Sequence, residues 1–410
     1  MSKTILLIGA FDTKGTDYDF VRSEIAGRGH SVLTVNCGVL GSTDLFPVDV
    51  EASEVASAGG GSLGELRGTR DRGEAMKVMT AGAGVVAARL HAEGRFDGVI
   101  GLGGSGGSTV VTSAMRALPL GVPKLCVSTV ASGDTSAYVG LKDVTLMPSV
   151  VDVAGLNRVS RIIYARAAGA ICGMVEAEPE TGKGGDRPVI AASMFGNTTE
   201  CVEACVEALS AHGYEVLVFH ATGTGGRTME SLVDEGLVDA VLDITTTEWA
   251  DTICGGFFDA GEDRLSAPGR LGIPHLIVPG CVDMANFHGI ETVPSQYRDS
   301  GRNLYEWNPS VTLLRTNVEE NRRMGAAFAG KANQARGPVA FLLPLKGVSI
   351  LDGDGQPFCD READFAMFEA IRSGLREDIP VHELDANIND PEFSARAVEL
   401  ILELMARKQG

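Results

Sequence analysis

Gly101, Gly103, Gly104, Gly106 and Gly107 stand between the apolar pair Val99-Ile100 and the hydroxyl pair Ser108-Thr109. Glycines in that spacing let a backbone turn tightly and bring its N–H groups against an anion. The helix opened by Ser108 and Thr109 would add its partial positive charge. The chemistry is that of a phosphate cradle, with Gly103, Gly104, Ser105, Gly106 and Gly107 as its floor. A turn that packs two elements closely would use the same glycines.

Other chemistry-bearing residues recur at the ends of apolar runs. Asp12, Thr13 and Lys14 follow the first run; the lysine could reach a phosphate and Asp12 a metal, or Asp12 and Thr13 simply cap a helix. Ser128, Thr129, Val130, Ala131, Ser132 and Gly133 follow another run, offering hydroxyls and a turn glycine. Arg70 and Arg72 are phosphate clamps or plain surface charges. In the second half, His220–Gly226 is glycine-rich and could hold a second anion or a carboxylate. His220, Glu248, Cys281 and Asp283 could form an acid–base or nucleophilic set across an interdomain cleft. A single His or Cys at a strand end is more often structural. No metal spacing such as HxxxH occurs, and Asp352-Gly353-Asp354-Gly355 lacks the remaining positions of a calcium loop, so it reads as a turn.

Gly101-x-Gly103-x-x-Gly106 satisfies the dinucleotide pattern. An NAD site would want an acid at the end of the next strand, and that strand ends in Ser128-Thr129 with no acid until Asp134. No Gly-Lys-Ser/Thr follows the glycines either, so the loop is not a P-loop. What remains is a phosphate-containing ligand in a non-standard cradle.

The elements that must position these residues alternate. Thr4–Ile8, Ser31–Val35, Val99-Ile100, Lys124–Val127 and Asp143–Met147 read as strands. Helices are expected over Asp17–Gly27, Asp71–Ala92 and Leu156–Val175, with Met76, Met79, Ala83, Val86 and Leu90 on the inner face of the second. Gly38–Gly68 gives no clear pattern. After a Gly-, Pro- and charge-rich stretch the second half restarts in the same manner, with Gly213–Val216, Asp239–Leu242 and Ile273–Leu276 echoing landmarks of the first. Strands at Val189–Ser193, Val339–Leu343 and Val381–Leu384, and helices over Ala363–Leu375 and Glu392–Met405, complete it. The fold class expected is α/β: two Rossmann-like domains, each a mainly parallel sheet with helices on both faces. Their bounds are residues 1–178 and 188–410, joined by a linker over 179–187.

At 410 residues with 44% hydrophobic and 22% charged residues, the chain has ample core for two domains. A net charge of −19 disfavours a nucleic-acid surface, which needs basic patches. The N-terminal apolar run is too short for a signal peptide or a membrane span. Eight cysteines with no CxxC pair fit reduced thiols, hence a cytoplasmic protein.

The motifs GAFDTKG (Gly9–Gly15), GVIGLGGSGGS (Gly98–Ser108), STVASG (Ser128–Gly133) and PSVVDVAGLNRVS (Pro148–Ser160) resemble the Tm-one-like ATP-binding family. In the second half FHATGTGG (Phe219–Gly226), ITTTE (Ile244–Glu248), VPGCVDMANF (Val278–Phe287) and HELDANINDPEF (His382–Phe393) look like the same family. The resemblance implies ATP, with Mg2+ on its phosphates, bound through the first domain by Lys14, Arg72, Gly104–Gly107 and Thr129–Ser132. Some relatives carry a TIM-barrel domain after this region, so a separate TIM-barrel protein is an expected partner. The expected activity is an ATP-dependent step on a small anionic substrate, with a non-catalytic nucleotide-responsive module as the alternative. A homo-oligomer is expected, with helix Leu156–Val175 as one contributor to a dimer interface or as a plain core helix.

Overall fold

The computed structural model describes residues 2–177 and 187–408. The chain divides into two compact units, with the boundary at Lys183/Gly184. The expected linker lies outside the described residues apart from Arg187.

The first unit is built on strands β1 (Thr4–Gly9), β2 (Ser31–Asn36), β3 (Gly98–Gly103), β4 (Lys124–Ser128) and β5 (Thr145–Pro148). They form one sheet in the order β2-β1-β3-β4-β5, and every pairing is parallel. Side chains alternate between its faces. Leu6 and Ile8 join one core with residues of α2 (Ala52–Ala58), α4 (Arg72–Ala92) and α5 (Ser105–Arg116). Ile5 and Leu7 join the other, under α1 (Phe11–Gly27) and α7 (Arg158–Glu176). Two shorter helices, α3 (Leu63–Thr69) and α6 (Ser136–Val139), sit on connections. Both sheet faces are therefore covered, which is why the strands read as continuous apolar runs.

The second unit repeats the plan with one strand more. Its main sheet contains β6 (Val189–Met194), β7 (Glu215–His220), β8 (Ala240–Thr245), β9 (His275–Gly280), β13 (Val339–Pro344) and β14 (Val381–Leu384). The order is β14-β13-β9-β8-β6-β7, again all parallel. One face packs on α8 (Thr199–Ala211) and α15 (Pro391–Lys408). The other packs on α9 (Thr224–Asp234), α10 (Glu248–Cys254), α11 (Ala267–Leu271), α13 (Val318–Asn333) and α14 (Arg361–Gly374). Between β9 and α13 the chain adds a small antiparallel sheet of β10 (Met284–Phe287), β11 (Leu304–Asn308) and β12 (Val311–Arg315), with the short α12 (Ser295–Arg298) inserted. Two doubly wound α/β sheets thus carry the chain, as the alternating pattern implied.

The differences from expectation are local. The stretch without a clear pattern, Gly38–Gly68, contains α2 and most of α3, each only seven residues long. Helix α7 begins at Arg158 rather than Leu156, because Asn157 caps it through the backbone N–H groups of Val159 and Ser160. The antiparallel sheet had no counterpart in the sequence reading. Among the described residues no helix is long and apolar enough to cross a membrane. All eight cysteines are unbridged, and only Cys359 is exposed.

Candidate functional site

Open parallel sheets bind ligands beyond the carboxyl ends of their strands, where the strand order reverses. In the first unit that point lies between β1 and β3. A cavity of about 820 Å³ opens there. Gly9, Ala10, Asp12 and Thr13 line it from the end of β1, and Cys37, Gly38, Val39 and Leu40 from the end of β2. Leu66, Arg67 and Arg70 come from α3 and its C-cap, and Arg72, Ala75, Met76 and Met79 from α4. Gly106, Gly107 and Val110 of α5 close it. Apolar side chains and arginines, both drawn from α3 and α4, line it together with the first turn of α5.

The glycine segment divides into two jobs. Gly101 and Gly103 belong to β3, and a Cβ on either would strike backbone: Ile8 O at 2.6 Å, or Gly107 C and Ser108 N at 2.6 Å. They set the strand–helix distance. Gly104 alone links β3 to α5, and no side chain caps that helix. A Cβ on Gly106 would meet only Met76 at 3.6 Å and Arg72 Nη2 at 3.9 Å, so the guanidinium stands beside the first turn of α5. Asp71 fixes Arg72 there by capping α4 through Gly73 N–H and Glu74 N–H, at 2.8 and 3.2 Å.

Asp12 is held on one side only. Its Oδ2 accepts the Leu40 N–H at 2.8 Å, while its buried Oδ1 has no partner. Lys14 does not line this cavity: its ammonium donates to the Val153 carbonyl and ties α1 to the segment after β5. Ser128, Thr129 and Ser132 line a separate pocket of about 270 Å³ with Pro148–Asp152. Ser128 Oγ is bonded to Ser108 Oγ at 2.6 Å and accepts the Val130 N–H, while Gly133 N–H closes a turn onto the Val130 carbonyl around Ala131. A Cβ on Gly104 would lie 3.8 Å from Thr129 Oγ1, so the two pockets flank the start of α5. No motif marks Val39, Leu40, Leu66 or Arg67, and Met76 and Met79, which the helical spacing assigns to the core face, also line the cavity. The Arg70/Arg72 pair was its available signal.

In the second unit the glycine loop does hold a carboxylate, and it is the protein's own. Glu248 Oε1 accepts the N–H groups of Gly223 and Gly226 at 2.8 and 3.0 Å, at the start of α9. Its Oε2 accepts Arg264 Nε at 2.6 Å. Arg264, only 1% exposed, also grips both oxygens of Asp243 at 2.5 and 2.6 Å. Burial raises the Asp243 pKa, but Arg264 and then His275 outweigh it and hold the group well below the usual carboxylate range. At Glu248 burial wins instead and raises the pKa.

Two of the other strand-end groups are equally enclosed. Cys281 is fully buried at φ +58°, and burial pushes its thiol far above the ordinary range. Asp283 is pushed up to about 6 by burial; its Oδ2 accepts Ser349 Oγ at 2.8 Å and its Oδ1 is unpaired. His220 is exposed, with its ring 5.4 Å from that of Phe195. Cys281 and Asp283 are neighbours, whereas Glu248 is spent on Arg264 and α9.

Residues 3–180 match the N-terminal domain and residues 187–405 the C-terminal domain of the uncharacterised protein family UPF0261. A UPF0261 protein of Clostridium tetani is 44% identical over 99% of this chain and 100% of its own. Another, of Mesorhizobium japonicum, is 47% identical over 98% of this chain and 99% of its own. The tomato (Solanum lycopersicum) ToMV resistance protein Tm-1(GCR237) is 41% identical over 82% of this chain and 45% of its own length. The resemblance carried by the motifs is thus borne out across the chain. The protein belongs to the UPF0261 family and matches both of its domains.

Proposed function

We propose that the first unit binds ATP, with the phosphates on the first turn of α5 beside Arg72 and the base against Leu66, Met76 and Met79. The observation that carries this is the uncapped N-terminus of α5, flanked by a guanidinium, inside a cavity that Leu66, Met76 and Met79 also line. Backbone N–H groups and the helix dipole supply anion binding without further apparatus. Mg2+ commonly combines one carboxylate with substrate phosphates, and the unpaired Oδ1 of Asp12 fits that role. Bound there, it would supply neutralisation of phosphate charge.

Such a site supports an ATP-dependent step, phosphoryl or adenylyl transfer to a small anionic acceptor. A second reading, a nucleotide-responsive module acting through a protein partner such as a TIM-barrel protein, is favoured by one observation. Glu248 has both carboxylate oxygens bound internally.

Titration calorimetry with ATP and Mg2+ tests the binding. Arg72→Ala is expected to weaken ATP about tenfold or more, the scale of one charge-assisted contact. Asp12→Asn is expected to abolish the dependence of ATP affinity on Mg2+. Absence of heat with ATP, or full affinity in Arg72→Ala, overturns the reading. ATP turnover that survives Glu248→Gln, Asp283→Asn and His220→Ala removes the catalytic role from those residues.

A further inference from the structure

Arg72 stands beside the first turn of α5, but two further arginines line the same cavity, Arg67 and Arg70. Arg67 lies on α3 and donates its Nε to the Val39 carbonyl, just past the end of β2. Arg70 is the C-cap of α3 at φ +53°, a left-handed position that usually falls to glycine or asparagine. Among the described residues no carboxylate pairs with any of the three guanidiniums. The lining holds only two acids, Asp12 and Asp71, and Asp71 is spent on capping α4. Three guanidiniums against two carboxylates leave the cavity lining positive in a chain of net charge −19.

The anchors of Arg67 and Arg72 are well separated. Val39 follows β2 and Gly106 follows β3, and β1 lies between these strands, so the two points are about 10 Å apart. One phosphate group does not span that distance. Where an α/β sheet binds a nucleotide, a carboxylate takes free ribose hydroxyls and an arginine takes a phosphate carried on them. The residue that closes β2 is Asn36, and it is turned away from any such role. It is fully buried, and its Oδ1 accepts the Phe11 and Gly38 N–H groups at 3.2 and 2.8 Å. The end of β2 therefore presents guanidinium where a plain ribose would meet a carboxylate.

We propose that this cavity takes a nucleotide that carries a second phosphate on its ribose, held by Arg67 and Arg70 at the end of β2. The proposal rests on the nucleotide reading of the cavity and adds a second anion subsite to it. The planar guanidinium fork matches phosphate oxygens in pairs, which makes arginine the suited residue there. ATP fills the subsite on α5 and leaves the second one to water.

Calorimetry on the full chain compares AMP, ADP and ATP with adenosine 2′,5′-bisphosphate and adenosine 3′,5′-bisphosphate. Ionic strength is held constant, because salt screens exposed guanidiniums. At least one bisphosphate is expected to bind about tenfold tighter than AMP, the scale of one charge-assisted contact. The better of the two identifies the ribose position. The double variant Arg67→Ala, Arg70→Gly should erase that advantage and leave AMP within twofold of the parent. Glycine suits the left-handed backbone at position 70, and position 67 is exposed, so folding is not at stake. Bisphosphates that bind no tighter than AMP, or an advantage that the double variant keeps, overturn the proposal while AMP and ATP binding leave the nucleotide site standing. A double variant that loses ATP relative to ADP gives these arginines to the triphosphate tail and overturns it as well. If no nucleotide binds, the ATP site and this proposal fall together.

Discussion

Asp251 illustrates how burial sets the charge of a single residue. It is fully buried on α10, and burial, opposed by hydrogen bonds from Asn286, pushes its carboxyl up to about 8. At neutral pH the group therefore holds its proton. Its Oδ2 lies 2.7 Å from the Asn286 carboxamide, whose Oδ1 is unpaired. Turning that carboxamide by half a rotation lets a protonated Asp251 donate to its Oδ1. The folded pKa lies above the unfolded value of about 4. Between those limits the folded state binds the extra proton, so stability falls as pH rises toward 8 and the contribution is gone above it. Asp251→Asn, neutral and of the same shape, is expected to match the parent near pH 4, to exceed it increasingly above that, and so to flatten the decline by roughly 1.4 kcal/mol per pH unit across the window. Urea unfolding at pH 5 to 9 reads both slopes; parallel curves for parent and variant would contradict the assignment.

The turn from β3 to α5 separates packing from binding within five residues. A Cβ on Gly103 meets the backbone of Gly107 and Ser108 at 2.6 Å, and backbone cannot yield. Gly103→Ala is expected to cost about 1–3 kcal/mol of stability. Gly106→Ala meets the flexible ends of Met76 at 3.6 Å and Arg72 at 3.9 Å, and replaces a helical glycine. It should fold at least as well as the parent, since alanine favours helix by roughly 0.5–1 kcal/mol. It should nevertheless weaken ATP, because the methyl occupies the space over the first turn. Thermal unfolding paired with calorimetry separates the two variants; equal ATP affinity in Gly106→Ala would move the phosphates elsewhere. At this scale much was legible. The parallel strands announced themselves as unbroken apolar runs because both faces are covered. The antiparallel sheet did not: β11, Leu304–Asn308, is largely exposed and carries no clean alternation. Part of the cavity wall was hidden for a related reason. Leu66 and Arg67 sit on a seven-residue helix too short to show a period. The second glycine loop was legible as an anion site, but its occupant, Glu248, lies 22 residues from Gly226.

Each unit owns its hydrophobic cores. The two clusters of the first unit draw only on residues up to Val175, and the four of the second begin at Val189. Family matches divide at the same place, with residues 3–180 and 187–405 recognised separately. A unit with its own core unfolds on its own terms. Calorimetric scanning of the full chain is therefore expected to resolve two transitions. A ligand that binds only one folded unit stabilises that unit alone, by about 2.7 kcal/mol at a hundredfold excess over Kd. For units of this size that is a rise of roughly 5–10 °C in the midpoint. ATP with Mg2+ should raise one transition by this amount and leave the other in place, and Arg72→Ala should erase the rise without moving the second transition. A single merged transition, or a nucleotide shift that Arg72→Ala leaves intact, would mean that stability and nucleotide binding are not partitioned as the two cores imply.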